Sequence, residues 1–325
     1  MAPKPGTYAI MEAIQHEMRA QPHLTFWWQS SKPVAVSPMG QVIDLYAEFG
    51  DPRVPFGTAI NEEWYIGAAA GSAMSGVPTI AHTPSMTPVR AFDLVFNQIG
   101  KLRHMTGGQA HMPLVIWQDG AGRAAGPAGQ HADAGQESLY AALPGVKVVV
   151  PSDPYDAKGL MHAALRDPDP VIFFHYAEIN GVRVDVPDEA YEVKIGEAIT
   201  RQEGSDITIV GYGPAAVEIN RAMEGLKQAG ISAEIIDPRS LKPLPIDTIL
   251  QSVRKTGRLL AVDHGHETLC GATEIIARCA IGVPGARFAR LAFPDAPPPG
   301  ARKMIEWMRP DAPKIVEAAK KLVAA

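Results

Sequence analysis

ITIVGYGPAAVEINRAMEGLKQAGISAEIIDPRSLKPLPIDTILQSVRKTGRLLAVD, residues 207–263, carries the alternation that decides the fold. Short apolar runs at Ile207–Tyr212, Ala233–Asp237 and Leu259–Asp263 predict strands. Ala215–Ala229 and Ile246–Lys255, which lie between them, have the length and apolar spacing of helices. Strands joined through helices return in the same direction, so the sheet is expected to be parallel and covered on both faces. Two further helices are expected at Ala272–Ala280 and Pro313–Val323, with the Pro-rich stretch PDAPPPG, residues 294–300, before the last.

The same rhythm runs upstream. Tyr8–Arg19 predicts an amphipathic helix, with Ile10, Ile14 and Met18 four residues apart. Strands are expected at Leu24–Trp28, Thr79–His82, Leu114–Gln118, Lys147–Val150 and Val171–His175, and a short extended stretch at Phe56–Ile60. Helices are expected at Val42–Phe49, Glu63–Met74, Arg90–Met105, Glu137–Leu143 and Asp156–Arg166. The rhythm breaks at Asn180–Ile195, where charges, Gly181 and Pro187 replace long apolar runs. The fold class is therefore α/β, with two domains, each a mostly parallel sheet covered by helices. The expected division is residues 1–185, a linker at 186–198, and residues 199–325.

Composition narrows the function. The 325 residues are 46% hydrophobic and 20% charged, the balance of a globular protein with a full core. A net charge of −5 gives no general case for nucleic-acid binding, and no run of 18 apolar residues predicts a membrane span. MAPKPGTYAIMEAIQHEMRA lacks the apolar segment of a secretory signal. Cys270 and Cys279 are the sole cysteines, so reduced thiols and a cytoplasmic location are expected. There is no P-loop, no H-E-x-x-H, no G-x-G-x-x-G after a strand and no G-x-S-x-G elbow.

Two loop clusters remain. Thr58–Gly67, TAINEEWYIG, sets Glu62 and Glu63 before a helix rich in alanine and glycine. Acids at a helix start often serve only the helix dipole, and residue chemistry favours that reading over catalysis. Asp119–Gly135, DGAGRAAGPAGQHADAG, puts His131 in a glycine-rich loop after an apolar strand. Such loops at the carboxyl ends of parallel strands bind ligands, although a lone histidine is a weak signal.

Five stretches, in order, carry a resemblance: AINEEWYIGAAAGSAMSGVPTI (59–80), NQIGKLRHMTGGQ (97–109), GPAGQHADAG (126–135), LPGVKVVVPSDPYDAKGLMHAALRDPDPVIF (143–173) and GISAEIIDPRSLKPLPIDTILQSVRKTGRLLAVDHG (230–265). The chain resembles, nearly end to end, beta subunits of the decarboxylating component of 2-oxo acid dehydrogenases, of the pyruvate, branched-chain and acetoin types. The resemblance implies a transketolase-like pyrimidine-binding domain followed by a transketolase C-terminal-like domain. It implies thiamine diphosphate as cofactor, with Ile60-Asn61-Glu62 standing where the family has Ile-Ser-Glu. There the glutamate hydrogen-bonds N1′ of the aminopyrimidine and so promotes loss of the thiazolium C2 proton. Gln130-His131 matches the family's Gln-His, whose histidine handles protons as the acyl group passes to a lipoyl carrier. Glu63 stands where the family has a small residue and keeps its helix-dipole reading.

The family's Gly-Asp-Gly…Asn signature for the diphosphate and its divalent metal is missing; Asp119-Gly120 follows Gln118, and the next asparagine is Asn180. The resemblance therefore implies that an alpha subunit holds the diphosphate and Mg2+ in an α2β2 heterotetramer, with a lipoyl-bearing acyltransferase as a further partner. The stretches 66–74 and 90–105 serve equally as interface or core. Three loops depart from the family. Trp28-Gln29-Ser30 replaces Gly-Glu-Asp, HTPSMTP (82–88) replaces the aromatic loop near the pyrimidine and leaves Met86 as a substitute, and His131-Ala132-Asp133-Ala134 replaces His-Ser-Gln-Ser. The alternatives that stay open are a two-subunit lyase or acyloin-type synthase without a lipoyl step, and a noncatalytic scaffold.

Overall fold

Residues 2–28, 33–55, 59–84, 87–121 and 135–324 are described in the computed structural model. They form two compact units, Met1–Arg123 with Leu139–Ile195, and Ala124–Ser138 with Gly196–Ala325.

In the first unit, helix α1 (Gly6–Ala20) turns Ile10, Ile14 and Met18 inward, as their four-residue spacing requires. Strand β1 (Thr25–Trp28) follows, then a hairpin of β2 (Val34–Val36) and β3 (Val42–Asp44), α2 (Leu45–Phe49) and α3 (Glu62–Met74). Next come β4 (Thr79–Pro84), a helical run, α4 (Leu102–Met105), β5 (Leu114–Ala121), α5 (Glu137–Ala141, of which Glu137 and Ser138 count with the second unit), β6 (Lys147–Val149), α6 (Pro154–Leu165) and β7 (Val171–Tyr176). Five strands pair in parallel in the order β6-β7-β5-β4-β1. All six residues of β7 are buried, as befits a central strand covered on both faces.

In the second unit, β9 (Ile207–Val210), β10 (Ala233–Asp237), β11 (Arg258–His266) and β12 (Arg287–Phe293) are parallel, in the order β10-β9-β11-β12. Strand β8 (Ile199–Gln202) closes the β10 edge antiparallel. Helices α7 (Pro214–Gln228), α8 (Ile246–Thr256), α9 (Gly271–Gly282), α10 (Arg302–Met308) and α11 (Ala312–Ala324) complete it. One core layer joins Ile207, Ile209, Leu226 and Ile315; the other joins Val210, Ile236, Ile249 and Cys279.

Two expected helices take another form. Val42–Phe49 splits: Val42 and Ile43 pair with Val36 and Ala35 as a strand, and the helix begins only after Asp44. Asp44 Oδ1 accepts the Ala47 N–H at 2.9 Å and caps it. The run at 90–105 stays helical but changes pitch, with a 3-10 turn at Thr87–Ala91, a π-helix at Leu94–Ile99 and the four residues of α4. The π turn delivers Gly100 against the Pro144–Gly145 backbone. A Cβ on Gly145, at φ +84°, would fall 1.7 Å from the Gly100 carbonyl oxygen. Phe56–Gly57–Thr58 lies outside the described residues.

Charged groups are buried where α1 meets α6. Glu12 accepts from Lys4 Nζ at 2.7–2.8 Å and from Lys158 Nζ at 2.6 Å. Lys158 Nζ also donates to the carbonyls of Pro187 and Asp188, which ties the stretch after β7 to α6. One turn further along α1, Glu17 is bonded by His162 Nδ1 at 2.7 Å, Arg166 Nη2 at 2.7 Å and Gln21 Nε2 at 2.8 Å.

Burial opposes ionisation of Glu17, but those three partners outweigh it and bring its pKa down from 4.5 to about 2. A depressed carboxylate contributes stability that is present above pH 4.5 and lost as pH falls towards 2. We expect wild type to exceed Glu17→Gln by about 2–3 kcal/mol at pH 6.5. Urea midpoints at pH 6.5, 4.5 and 3 check this: the gap should narrow across the series, and a constant gap refutes the linkage.

Candidate active site

Glu62 opens α3. Asn61, extended at φ −153°, caps that helix by accepting the Trp64 N–H at 3.0 Å. The cap fixes where the first turn begins and turns Glu62 inward, where it is 2% exposed. Its Oε2 accepts no hydrogen bond among the described residues and lies 3.5 Å from Arg90 Nε. An inward carboxylate oxygen without a hydrogen bond is costly unless something bonds it. A helix-dipole role needs no such burial. Glu63, one residue on, is exposed and fits that role. Ile60 is 67% exposed, while Tyr65 and Ile66 enter the core. Ile66, Ala69, Ala70 and Ala73 are also buried, so part of the small-residue stretch packs inward.

His131 and Met86, the other expected site residues, lie outside the described residues, as do Gln29, Ser30 and Asp133. The structure therefore places Glu62 and Ile60 and leaves the remaining expectations as they stood.

It also reveals a group that sequence reasoning passed over. Trp28, His82 and Trp117 are register partners on β1, β4 and β5, and Asp119 pairs with His175 across β5 and β7. Partners in register on parallel strands share a face, and residues two apart return to it. All five side chains thus gather on one face at the carboxyl ends of the strands. His82 lies flat on Trp28, with centroids 3.5 Å apart and planes 5° apart, and meets Trp117 edge-on at 4.6 Å. Asp119 Oδ1 is 2.5 Å from His175 Nδ1, and its Oδ2 is 3.5 Å from His82 Nε2. Burial works against the Asp119 charge, yet both histidines favour it and hold the carboxyl far below its usual range. Burial lowers the His82 pKa, with Asp119 opposing. Trp27, on the other face, meets Trp64 edge-on, so aromatics pack on both sides of this strand end.

In the second unit Glu137, Asp263 and His264 converge, with donor atoms within 4.8 Å. Asp263 is already committed, accepting from Tyr212 Oη at 2.6 Å, Gly265 N at 2.7 Å and Ala272 N at 2.9 Å. It joins the end of β11 to the start of α9, a structural task. Cys270 and Cys279 are buried, and burial pushes both thiols up to about 11.

Comparison with known proteins matches these two units to two family models. Residues 5–194 match the transketolase pyrimidine-binding domain, and residues 196–315 the transketolase C-terminal domain. The beta subunit of acetoin:2,6-dichlorophenolindophenol oxidoreductase from Cupriavidus necator is 38% identical, over 96% of this chain and 95% of its own. The chain belongs to the transketolase-like family of beta subunits. The pyruvate dehydrogenase E1 component subunit beta of Bacillus subtilis is 36% identical, covering 86% of each chain. A solved split-gene transketolase, described as an inactive beta4 tetramer, matches with a TM-score of 0.81 at 21% identity, covering 100% of this chain and 99% of that one. At that identity the likeness speaks for the fold, which is the pair of α/β domains that the family resemblance implied.

Proposed function

We propose that this chain is the beta subunit of a thiamine-diphosphate enzyme that decarboxylates a 2-oxo acid or cleaves a related ketone, working together with an alpha subunit. The observation that carries the proposal is Glu62, whose carboxylate is buried at a capped helix start with one oxygen free of hydrogen bonds among the described residues. A pyrimidine ring nitrogen suits that oxygen. Bound there, thiamine diphosphate supplies the electron sink for cleavage beside a carbonyl. The chain's own part is to position and to move protons. Glu62 holds the exchangeable proton at Oε2, Arg90 sets the local charge, the Asn61 cap keeps the carboxylate aimed, and Ile60 offers an apolar surface beside it.

The diphosphate and its Mg2+ fall to the partner, because this chain has no Gly-Asp-Gly…Asn signature. An α2β2 heterotetramer follows, with the acyl group leaving to a lipoyl carrier and His131 handling the proton of that step. Among the described residues no helix is long and apolar enough to cross a membrane. We place the complex in the cytoplasm, where its two thiols stay reduced.

Mild affinity purification from the native source tests this. An alpha-type partner bearing Gly-Asp-Gly…Asn should co-purify, and the complex should bind thiamine diphosphate. A homo-oligomer without thiamine affinity rejects the proposal and favours a scaffold.

A further inference from the structure

We propose that His82 and Asp119 form a binding site for a first-row divalent cation of the zinc class, with His175 supporting the carboxylate. The proposal stands apart from the thiamine reading and rests on three observations.

The first is an unmet need. His82 is 2% exposed; its Nδ1 makes no hydrogen bond among the described residues, and its Nε2 meets Asp119 Oδ2 at the long separation of 3.5 Å. A buried polar group left this way costs about 1–3 kcal/mol, so native structures usually supply a partner, a water or an ion.

The second is the spacing. His82 Nε2 and Asp119 Oδ2 are 3.5 Å apart, too far for a good hydrogen bond. A bridging water would hold them roughly 4.5 Å apart, with hydrogen bonds of about 2.8 Å to each. A shared cation about 2.0–2.1 Å from each donor sets them roughly 3.3–3.6 Å apart at tetrahedral to trigonal angles. The observed separation matches the cation.

The third is preorganisation. Trp28 against the imidazole face and Trp117 at its edge fix the direction of Nε2. His175 Nδ1 holds the other oxygen of Asp119 at 2.5 Å, and ligating carboxylates are commonly held in this way. With two protein donors, coordination is completed by water or by a substrate oxygen, and affinity should be micromolar rather than nanomolar.

The test uses the full-length chain, stripped with chelator, free of thiamine diphosphate and titrated with Co2+ and then Zn2+. Wild type should take up one equivalent with visible d–d absorption that Zn2+ displaces. His82→Gln and Asp119→Asn should weaken binding at least tenfold, and His175→Gln about 10- to 100-fold. X-ray absorption of the zinc-loaded wild type should show one imidazole in a nitrogen–oxygen shell, a readout that needs no variant to fold. Failure to bind an equivalent, oxygen-only ligation, or undiminished binding by His82→Gln each overturns the proposal.

Discussion

Turnover of the assembled complex falls about a thousandfold when Glu62 is replaced by glutamine, the midpoint of what positioned acid–base groups contribute. Glutamine keeps the volume, the buried position and the capacity to accept one hydrogen bond, so Asn61 still caps α3 and the fold persists. What it loses is a proton that can be given and taken at Oε2. A group acting only on the transition state lowers kcat while KM stays near its wild-type value. The competing account, a carboxylate serving the helix dipole, foresees a stability change of about 0.3–1 kcal/mol and no effect on rate. Dye-coupled oxidation by the reconstituted complex, with thermal melting in parallel, separates the two. Wild-type turnover in a folded Glu62→Gln complex removes Glu62 from catalysis.

The second large effect is on stability. Glu12→Gln should cost the first unit about 3–5 kcal/mol, the range for stripping one member from a buried ion group. Glu12 lies between two ammonium groups, Lys4 and Lys158, whose side chains are 4% and 0% exposed. Without that charge, Lys158 is left with neutral partners, the Pro187 and Asp188 carbonyls and the Tyr191 ring at 5.6 Å, and Lys4 keeps the exposed Asp188 carboxylate. Lys158→Met should cost less, about 1–2 kcal/mol, because Glu12 retains Lys4 and an apolar chain fits the site. Urea denaturation followed by first-unit tryptophan fluorescence gives the ordering. If Lys158→Met proves the more damaging, Glu12 is not the centre of the group.

How much of this was legible in the sequence depended on how local each signal was. The strands and helices of residues 207–263 announce themselves through apolar spacing, and each appears within a few residues of its expected place. Val42–Phe49 was harder, because a β-branched pair abuts a helix former and the choice is made by Val34–Val36 across the hairpin. The 90–105 run was misjudged for a related reason. Its pitch is set by the close approach of Gly100 to Gly145, a contact 45 residues distant in the chain.

The site shows the same division. Glu62 stands out only through the resemblance at Ile60-Asn61-Glu62, since residue chemistry alone favours the helix-dipole reading. His82 and His175 end expected strands and Asp119 directly follows one, but strand order and register are needed to bring them together. A lone histidine closing an apolar strand is an unremarkable sight. Three titratable residues closing three strands was a signal that went unused.

The π turn at Leu94–Ile99 sets the register of the chain that follows it. Such a turn houses one residue more than an α-helix of the same span. Removing that residue would restore α pitch at the price of rotating everything beyond by roughly 100°. Leu102–Met105 would then turn a different side to its neighbours, and Gly100 would leave its place beside Gly145. The length of this segment is thus held by its surroundings: a one-residue deletion anywhere in 94–99 would break the approach of Gly100 to Gly145.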